Sequence, residues 1–183
     1  MVDDLVSDAK ERMAKSVDAT RTEFNTVRTG RATPALLDRI VVEYYGVPTP
    51  LQQMATVSAP DPRSLLIQPY DVNSLGDIEK AINESDLGIN PGNDGKVIRL
   101  AIPQLTEERR KELVKVVRGL AEEGRVAIRN IRRDVISDLH ELESEVGADQ
   151  IHRAEERVQK VTDEHVGQID ALLKQREADI MEV

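Results

Sequence analysis

The sequence contains no cysteine and no tryptophan, and aromatic residues account for only 2% of its 183 positions. Without cysteine the chain has no disulfide, no thiolate ligand for zinc and no cysteine nucleophile. The shortage of aromatic side chains disfavours the aromatic core of a typical globular enzyme. The charged fraction of 32% instead favours long, solvated helices that pack through aliphatic seams.

Long hydrophobic runs are also missing. Met1 to Leu5 lead directly into a mixed-charge helical pattern, without the basic and apolar regions that mark a signal peptide. A membrane-spanning helix needs about 18 or more consecutive apolar residues, and the sequence shows no such stretch. We therefore expect a cytoplasmic protein with no membrane span.

Negative charge predominates, but it is unevenly distributed. The net charge of −9 divides into −4 for residues 1–104 (11 Lys+Arg, 15 Asp+Glu), +4 for 105–133 (9 and 5) and −9 for 134–183 (5 and 14). An evenly acidic surface would disfavour nucleic acid. The basic block inside an acidic chain therefore marks one segment as a candidate binding surface.

Apolar residues at steps of three and four predict three long amphipathic helices, which cover their stripes by packing as a bundle. The first helix ends at Thr29-Gly30 and has its seam at Val2, Val6, Ala9, Met13, Val17, Thr20, Phe24 and Val27. The second is capped by Thr106 and has its seam at Leu113, Val117, Leu120, Gly124, Ala127, Ile131, Val135, Leu139, Leu142 and Val146. The third follows Gly147, is capped by Asp149 and has its seam at Ile151, Ala154, Val158, Val161, His165, Ile169, Leu172, Arg176 and Ile180. Gly119 and Gly124 predict close helix approach or bending.

The pattern changes between the first and second helices. Runs rich in β-branched and aromatic residues predict strands at 40–45, 65–69 and 97–101. Short helices are predicted after the caps Thr33 and Ser74, the latter running to about Glu84. The fold class is therefore α+β: a three-helix bundle formed by residues 1–30 and 105–183, with a small α/β domain, residues 31–104, inserted into it. The two chain crossings, at Gly30 and at Pro103-Gln104, predict a hinge.

The basic block places seven cationic side chains within an arc of about 100° on the second helix, with Glu122 as the one acid among them. Solvation of this face, with salt bridges to the acidic third helix, is one interpretation. Four arginines in the nine residues 125–133, with no acid between them, favour phosphate binding instead. The predicted RNA-binding residues on this face are Lys111, Lys115, Arg118, Arg125, Arg129, Arg132 and Arg133.

Arg28 and Arg31 flank Gly30 and are open to two interpretations. They are cations at a helix C-terminus, where they favour the helix dipole. They are equally two further candidates for RNA binding at the hinge.

No pattern indicates catalysis, a metal or a cofactor. The stretch 87–96 lacks the first glycine of a phosphate-binding loop, and Val97 replaces the Ser or Thr that should follow Lys96, so we interpret it as a turn between two strands. None of the three histidines has a partner at metal-ligand spacing. The acids are scattered along helices, and no pair is set as general acid and base. We therefore predict a protein that is not an enzyme.

Four segments resemble the ribosome recycling factor family: Val27–Pro34, Asp86–Pro91, Ile102–Lys111 and Val126–Asp134. The resemblance covers essentially the whole chain in order and length. It implies an L-shaped monomer whose bundle binds the RNA of the large ribosomal subunit after termination. It also implies that elongation factor G, with GTP, drives the smaller domain and splits the subunits. The principal RNA-contacting arginines of the family correspond to Arg129, Arg132 and Arg133, and its hinge region to Arg28 and Arg31.

A structural coiled-coil scaffold, in which the helices pair with another chain, is the alternative class. The salt dependence of binding distinguishes the RNA-binding protein from the scaffold. Phosphate-driven binding weakens steeply as salt is added, whereas apolar helix pairing does not.

Overall fold

The computed structural model describes residues 1–182. Its helices are α1 (Val2–Asn25), α2 (Leu51–Met54), α3 (Leu75–Glu84), α4 (Glu107–Glu141), α5 (Glu143–Val146) and α6 (Ala148–Met181). Its strands are β1 (Val41–Tyr44), β2 (Val47–Pro50), β3 (Ala55–Asp61), β4 (Ser64–Pro69), β5 (Pro91–Asn93) and β6 (Ile98–Ala101). The chain forms two compact units: Met1–Thr29 with the segment from Glu107 onward, and Gly30–Thr106.

The first unit is a bundle in which α1, α4 and α6 each pack against the other two. Its helices bury one apolar stripe each, as the periodicity predicts. The bundle core includes Val6, Met13, Val17, Phe24, Leu113, Val117, Ala121, Ile128, Val135, Leu139, Ile151, Val158 and Ile169. No helix within residues 1–182 has an apolar stretch long enough to cross a membrane.

Three seam positions were predicted one residue away from those that the bundle buries. Ala121 and Ile128 are buried on α4 where Leu120 and Ala127 were expected, and those two residues are half-buried beside them. On α6 the buried residue is Thr162, and Val161 is half-buried. A threonine is tolerated there because its hydroxyl donates to the carbonyl of Val158 at 2.7 Å, so no donor is left unpaired.

Three predicted helix ends were also wrong. The second helix was expected to run to Val146, but α4 ends at Glu141 and the last predicted turn is the separate helix α5. α1 ends at Asn25, four residues before Thr29. The amides of Thr26 and Val27 donate to the carbonyls of Glu23 and Phe24, both at 3.1 Å, and these tighter i→i−3 bonds close the last turn. α6 begins at Ala148 with Gly147 as its N-cap residue. Asp149 therefore does not cap the helix but lies in its first turn, where its charge still favours the helix dipole.

The second unit contains a β1–β2 hairpin and a four-stranded antiparallel sheet of order β3-β4-β6-β5. Its core includes Leu37, Val42, Leu51, Leu65, Ile67, Ile78, Ile82, Ile98 and Leu100. Strands β2, β3 and β5 were not predicted. Each contains proline, and β3 and β5 are edge strands, which tolerate residues of low strand propensity. The stretch 87–96 is therefore not simply a turn, since β5 lies within it.

The predicted capping residues of the second unit do not bond as expected. Thr33 precedes a 3-10 turn, Pro34–Leu37, without a side-chain cap hydrogen bond. Ser74 precedes α3, but its hydroxyl donates backwards to the Asp71 carbonyl at 2.6 Å. The reason is that a 3-10 turn, Val72–Ser74, runs directly into α3 and occupies the capping position.

The β3–β4 turn of the second unit holds both ends of that unit. The amide of Ala32, near its start, donates to the Pro62 carbonyl at 2.8 Å, and the amide of Ile102, near its end, donates to the Arg63 carbonyl at 2.7 Å. Gly30 has φ +76° and lies against Leu105 so closely that an added Cβ would be 2.8 Å from Leu105 Cγ. The first and last residues of the second unit are therefore neighbours.

Candidate nucleic-acid interface

The seven predicted cationic residues of the basic block all lie on α4. Five of them are exposed, whereas Arg125 and Arg132 are half-buried. Their surroundings divide them into two groups: residues bonded to a carboxylate, and residues that are not.

Two of the arginines form ion pairs with α6. The Arg118 Nε atom lies 2.5 Å from Glu177 Oε1, and Arg125 Nη2 lies 2.7 Å from Asp170 Oδ1. The hydrogen bond to Glu177 raises the pKa of Arg118 above its usual value. The Arg125 side chain is only 19% exposed, so most of its surface is covered by the bundle. For these two residues the geometry matches the salt-bridged interpretation of the basic face.

Glu122 neutralises part of the same face. It accepts from Arg125 Nη1 and from Arg129 Nη1, both at 3.1 Å. These hydrogen bonds lower the pKa of the Glu122 carboxyl below its ordinary value. Lys111 is paired in a similar way, with Glu107 at 3.5 Å, one turn away on α4.

Three cations on this face have no carboxylate within 4.0 Å among residues 1–182: Lys115, Arg132 and Arg133. Arg132 donates from Nε to the amide oxygen of Gln159 on α6 at 2.7 Å, a neutral partner. Arg133 is exposed and makes no side-chain hydrogen bond within the described residues. We name Arg129, Arg132 and Arg133 the arginine cluster. Arg129 is partly compensated by Glu122, which it shares with Arg125, and the charges of Arg132 and Arg133 are uncompensated.

The remaining predicted site residues lie at the ends of the two units. Arg28 is exposed and belongs to the first unit, whereas Arg31 is exposed and belongs to the second. In the second unit Pro103 is exposed, and Gln104, with its amide oxygen turned toward Arg63, accepts hydrogen bonds from that guanidinium.

Sequence reasoning missed Gln159 and Arg63, which hold two of the predicted site residues in place. Gln159 lies 27 residues from Arg132 along the chain. Only the register between α4 and α6 brings the two together, so no local pattern in the sequence indicates the contact.

The histidines serve structural contacts. His140 Nε2 lies 2.6 Å from Glu155, and His152 Nε2 lies 3.3 Å from Glu156. His165 is buried in the bundle, with Nδ1 2.7 Å from the Val161 carbonyl. Within residues 1–182 no group of three or more histidine, cysteine or acidic side chains has an arrangement that could hold a metal ion.

Comparison with known proteins identifies the family. The model of the family described as ribosome recycling factor matches residues 20–181. The chain belongs to the ribosome recycling factor family. It is 54% identical to the ribosome-recycling factor of Carboxydothermus hydrogenoformans, with full coverage of both chains. It is 55% identical to that of Synechocystis sp., covering 97% of this chain and 99% of the relative.

Solved structures of ribosome recycling factors have the same fold. A solution structure of a ribosome recycling factor superimposes with a TM-score of 0.76 at 42% identity, covering 100% of this chain and 98% of that one. A structure of the Thermus thermophilus factor and Escherichia coli elongation factor G bound to the E. coli post-termination complex gives a TM-score of 0.65 at 48% identity, with full coverage of both chains. The α+β fold class predicted from the sequence and the resemblance to this family are thereby confirmed.

Proposed function

We propose that the protein is a ribosome recycling factor that binds the post-termination ribosome through the basic face of α4. Together with elongation factor G and GTP, it promotes dissociation of the ribosomal subunits from mRNA so that they are reused. Support comes from the similar Thermus thermophilus factor, whose structure is described as bound to a post-termination complex with elongation factor G. We further propose that the protein acts as a monomer in the cytoplasm, without catalytic groups or a cofactor of its own.

The observation that carries this proposal is the pair of uncompensated arginines, Arg132 and Arg133, on a helix fixed by two neighbouring helices. A guanidinium that is not paired with a carboxylate keeps its charge and its forked donors for phosphate oxygens. Because α4 belongs to a packed bundle, the backbone that carries the pair is already ordered before RNA binds. All nine basic residues named from the sequence remain in the proposed interface, with the arginine cluster at its centre.

The experiment is co-sedimentation with large ribosomal subunits across a salt series, using Arg132→Ala, Arg133→Ala and the double variant. Each single change should weaken binding, and the double change should lower the slope of log affinity against log salt by about 1.4 to 1.8 if each arginine meets one phosphate. Melting temperatures should stay close to that of the wild type, because substitutions at the surface, away from the core, usually change stability by only about 0.5 kcal/mol.

Arg153→Ala is the matched control. Arg153 is exposed on α6 and forms no ion pair within the described residues, so this change removes one equally uncompensated charge outside the basic face. It should leave both affinity and slope close to wild type. An equal loss for Arg153→Ala would mean that net charge alone governs binding, and binding that is insensitive to salt would favour the coiled-coil scaffold.

We propose that Gly30, Pro103 and Gln104 form the hinge that lets the second unit move while the bundle stays bound. Support comes from Gly30, whose positive φ is freely accessible only to glycine. Further support comes from the nearness of the two ends of the second unit, because two adjacent crossings concentrate motion at one place.

A disulfide engineered across the two units provides the test of the hinge. When oxidised, the variant should bind ribosomes yet fail to split them with elongation factor G and GTP, and reduction should restore splitting. Full splitting by the oxidised form would exclude the hinge.

A further inference from the structure

Polar pairs between α4 and α6 follow one antiparallel register. Arg118 pairs with Glu177, and seven residues further along α4, Arg125 pairs with Asp170, seven residues back along α6. A seven-residue step returns to nearly the same face of a helix, so such pairs recur along a helix-helix seam. The next step of this register brings Arg132 opposite Asp163.

Arg132 and Asp163 nevertheless form no ion pair, because Gln159 lies between them. Arg132 Nε donates to Gln159 Oε1 at 2.7 Å, and Gln159 Nε2 donates to Asp163 Oδ1 at 2.9 Å. The amide has only this orientation available, because a guanidinium only donates and a carboxylate only accepts. Gln159 thus connects a cation to an anion without bringing the two charges into contact.

This arrangement differs from that of the other arginines on the seam. Arg125 donates to two carboxylates, and its charge is compensated within the protein. Arg132 uses one of its five N–H donors on a neutral oxygen and makes no other hydrogen bond within residues 1–182. Its four remaining donors, on Nη1 and Nη2, form the forked edge that matches a phosphate group.

We propose that Gln159 is a positioning residue for RNA binding, which fixes the guanidinium of Arg132 through Nε and leaves its charge and its forked edge available for a phosphate of the ribosomal RNA. The inference deepens the proposed function and rests on it. An acid at position 159 would orient Arg132 equally well but would neutralise it. A residue without a polar side chain would leave the charge intact but the side chain unrestrained.

The test compares Gln159→Glu and Gln159→Ala in the full-length protein, by measuring dissociation constants for the large ribosomal subunit across a salt series. Gln159→Ala should weaken binding by about two- to tenfold, the range expected when one long side chain must be immobilised on binding, with little change in the salt slope. Gln159→Glu should weaken binding and also lower the salt slope by about 0.7 to 0.9, because one phosphate contact is replaced by an internal pair.

Asp163→Asn is the matched control, since its amide oxygen still accepts from Gln159. It should bind as tightly as the wild type or more tightly. Both Gln159 variants are also made in an Arg132→Ala background, where their effects should disappear if Gln159 acts through Arg132.

Wild-type binding by both Gln159 variants, alongside weak binding by Arg132→Ala, would overturn this inference and leave the proposed function standing. An undiminished effect of Gln159→Glu in the Arg132→Ala background would also overturn it, because general repulsion would then be the cause. Wild-type binding by Arg132→Ala itself would count against the proposed arginine interface.

Discussion

Gly124 of α4 lies directly against Thr20 of α1, so that a methyl group added at Gly124 would overlap the Thr20 hydroxyl. The same methyl group would be 2.9 Å from Cδ1 of Ile169 on α6. Of the two glycines of α4, Gly124 is therefore the one at which α1 and α6 both approach closely. The sequence predicted close approach or bending at both Gly119 and Gly124, but Gly119 has nothing within 4 Å of its added Cβ.

We predict that Gly124→Ala destabilises the bundle. Overpacking in a core costs about 1–3 kcal/mol, which exceeds the gain of up to about 1 kcal/mol from replacing a helical glycine by alanine. Urea unfolding measures the difference. Gly119→Ala is the control on the same helix and should be stabilising by up to about 1 kcal/mol, because it has the propensity gain without the overlap. Equal effects of the two substitutions would contradict the packing described for Gly124.

Ile128 and Leu120 test the rotation of α4. Ile128 is fully buried, whereas Leu120 is half-buried. Ile128→Ala should therefore lower the free energy of unfolding by about 2–5 kcal/mol, and Leu120→Ala should cost clearly less. Thermal and urea unfolding of the two variants are the measurement. A larger loss for Leu120→Ala would show that α4 presents the other edge of its apolar stripe to the core.

Gly30 combines a positive φ with a crowded position. Gly30→Ala should destabilise the second unit by more than about 1 kcal/mol, because φ +76° is strained for alanine and the new methyl group meets Leu105. Gly88→Ala is the matched control, since Gly88 has φ +66° with nothing within 4 Å. It shows the cost of the backbone angle alone. Gly30→Ala should therefore cost more than Gly88→Ala, and adding Leu105→Ala to the Gly30 variant should remove this additional loss of stability. If the additional loss remains, Leu105 is not the obstacle.

Glu122 should make the stability of the bundle depend on pH. Its carboxyl has a lowered pKa in the folded protein, because Arg125 and Arg129 donate to it, against an ordinary value of 4.5. A lowered folded pKa means that the stabilisation is fully present above about pH 4.5 and is lost as pH falls through the folded pKa. The stability difference between wild type and Glu122→Gln should therefore shrink in acid. Glu123→Gln removes an exposed neighbouring carboxylate that has no ion pair among the described residues, and it is the control for the loss of one negative charge.

Periodicity along the chain was enough to predict the bundle, because long amphipathic stripes leave few ways to be covered. It did not determine the rotation of α4 about its axis to better than about one residue, since Leu120 and Ala121 are neighbours on a wide apolar stripe. The edge strands were missed because Pro60 in β3 and Pro91 in β5 lower the strand propensity of their segments. These segments form strands because they pair with a neighbouring strand. The basic face of α4 was visible from residue types alone. Which of its arginines carry compensated charge depends on α6, and no local pattern revealed that Gln159 rather than an acid faces Arg132.

The ion pairs between α4 and α6 also bear on how the protein behaves in a cell filled with other RNA. Glu177 and Asp170 are held beside Arg118 and Arg125, so they compete with incoming phosphates at a local concentration that dilution does not lower. A random transcript or transfer RNA must displace these tethered anions, and it gains fewer released counterions for doing so. We therefore expect Arg118 and Arg125 to attract bulk RNA less strongly than unpaired arginines at the same positions would.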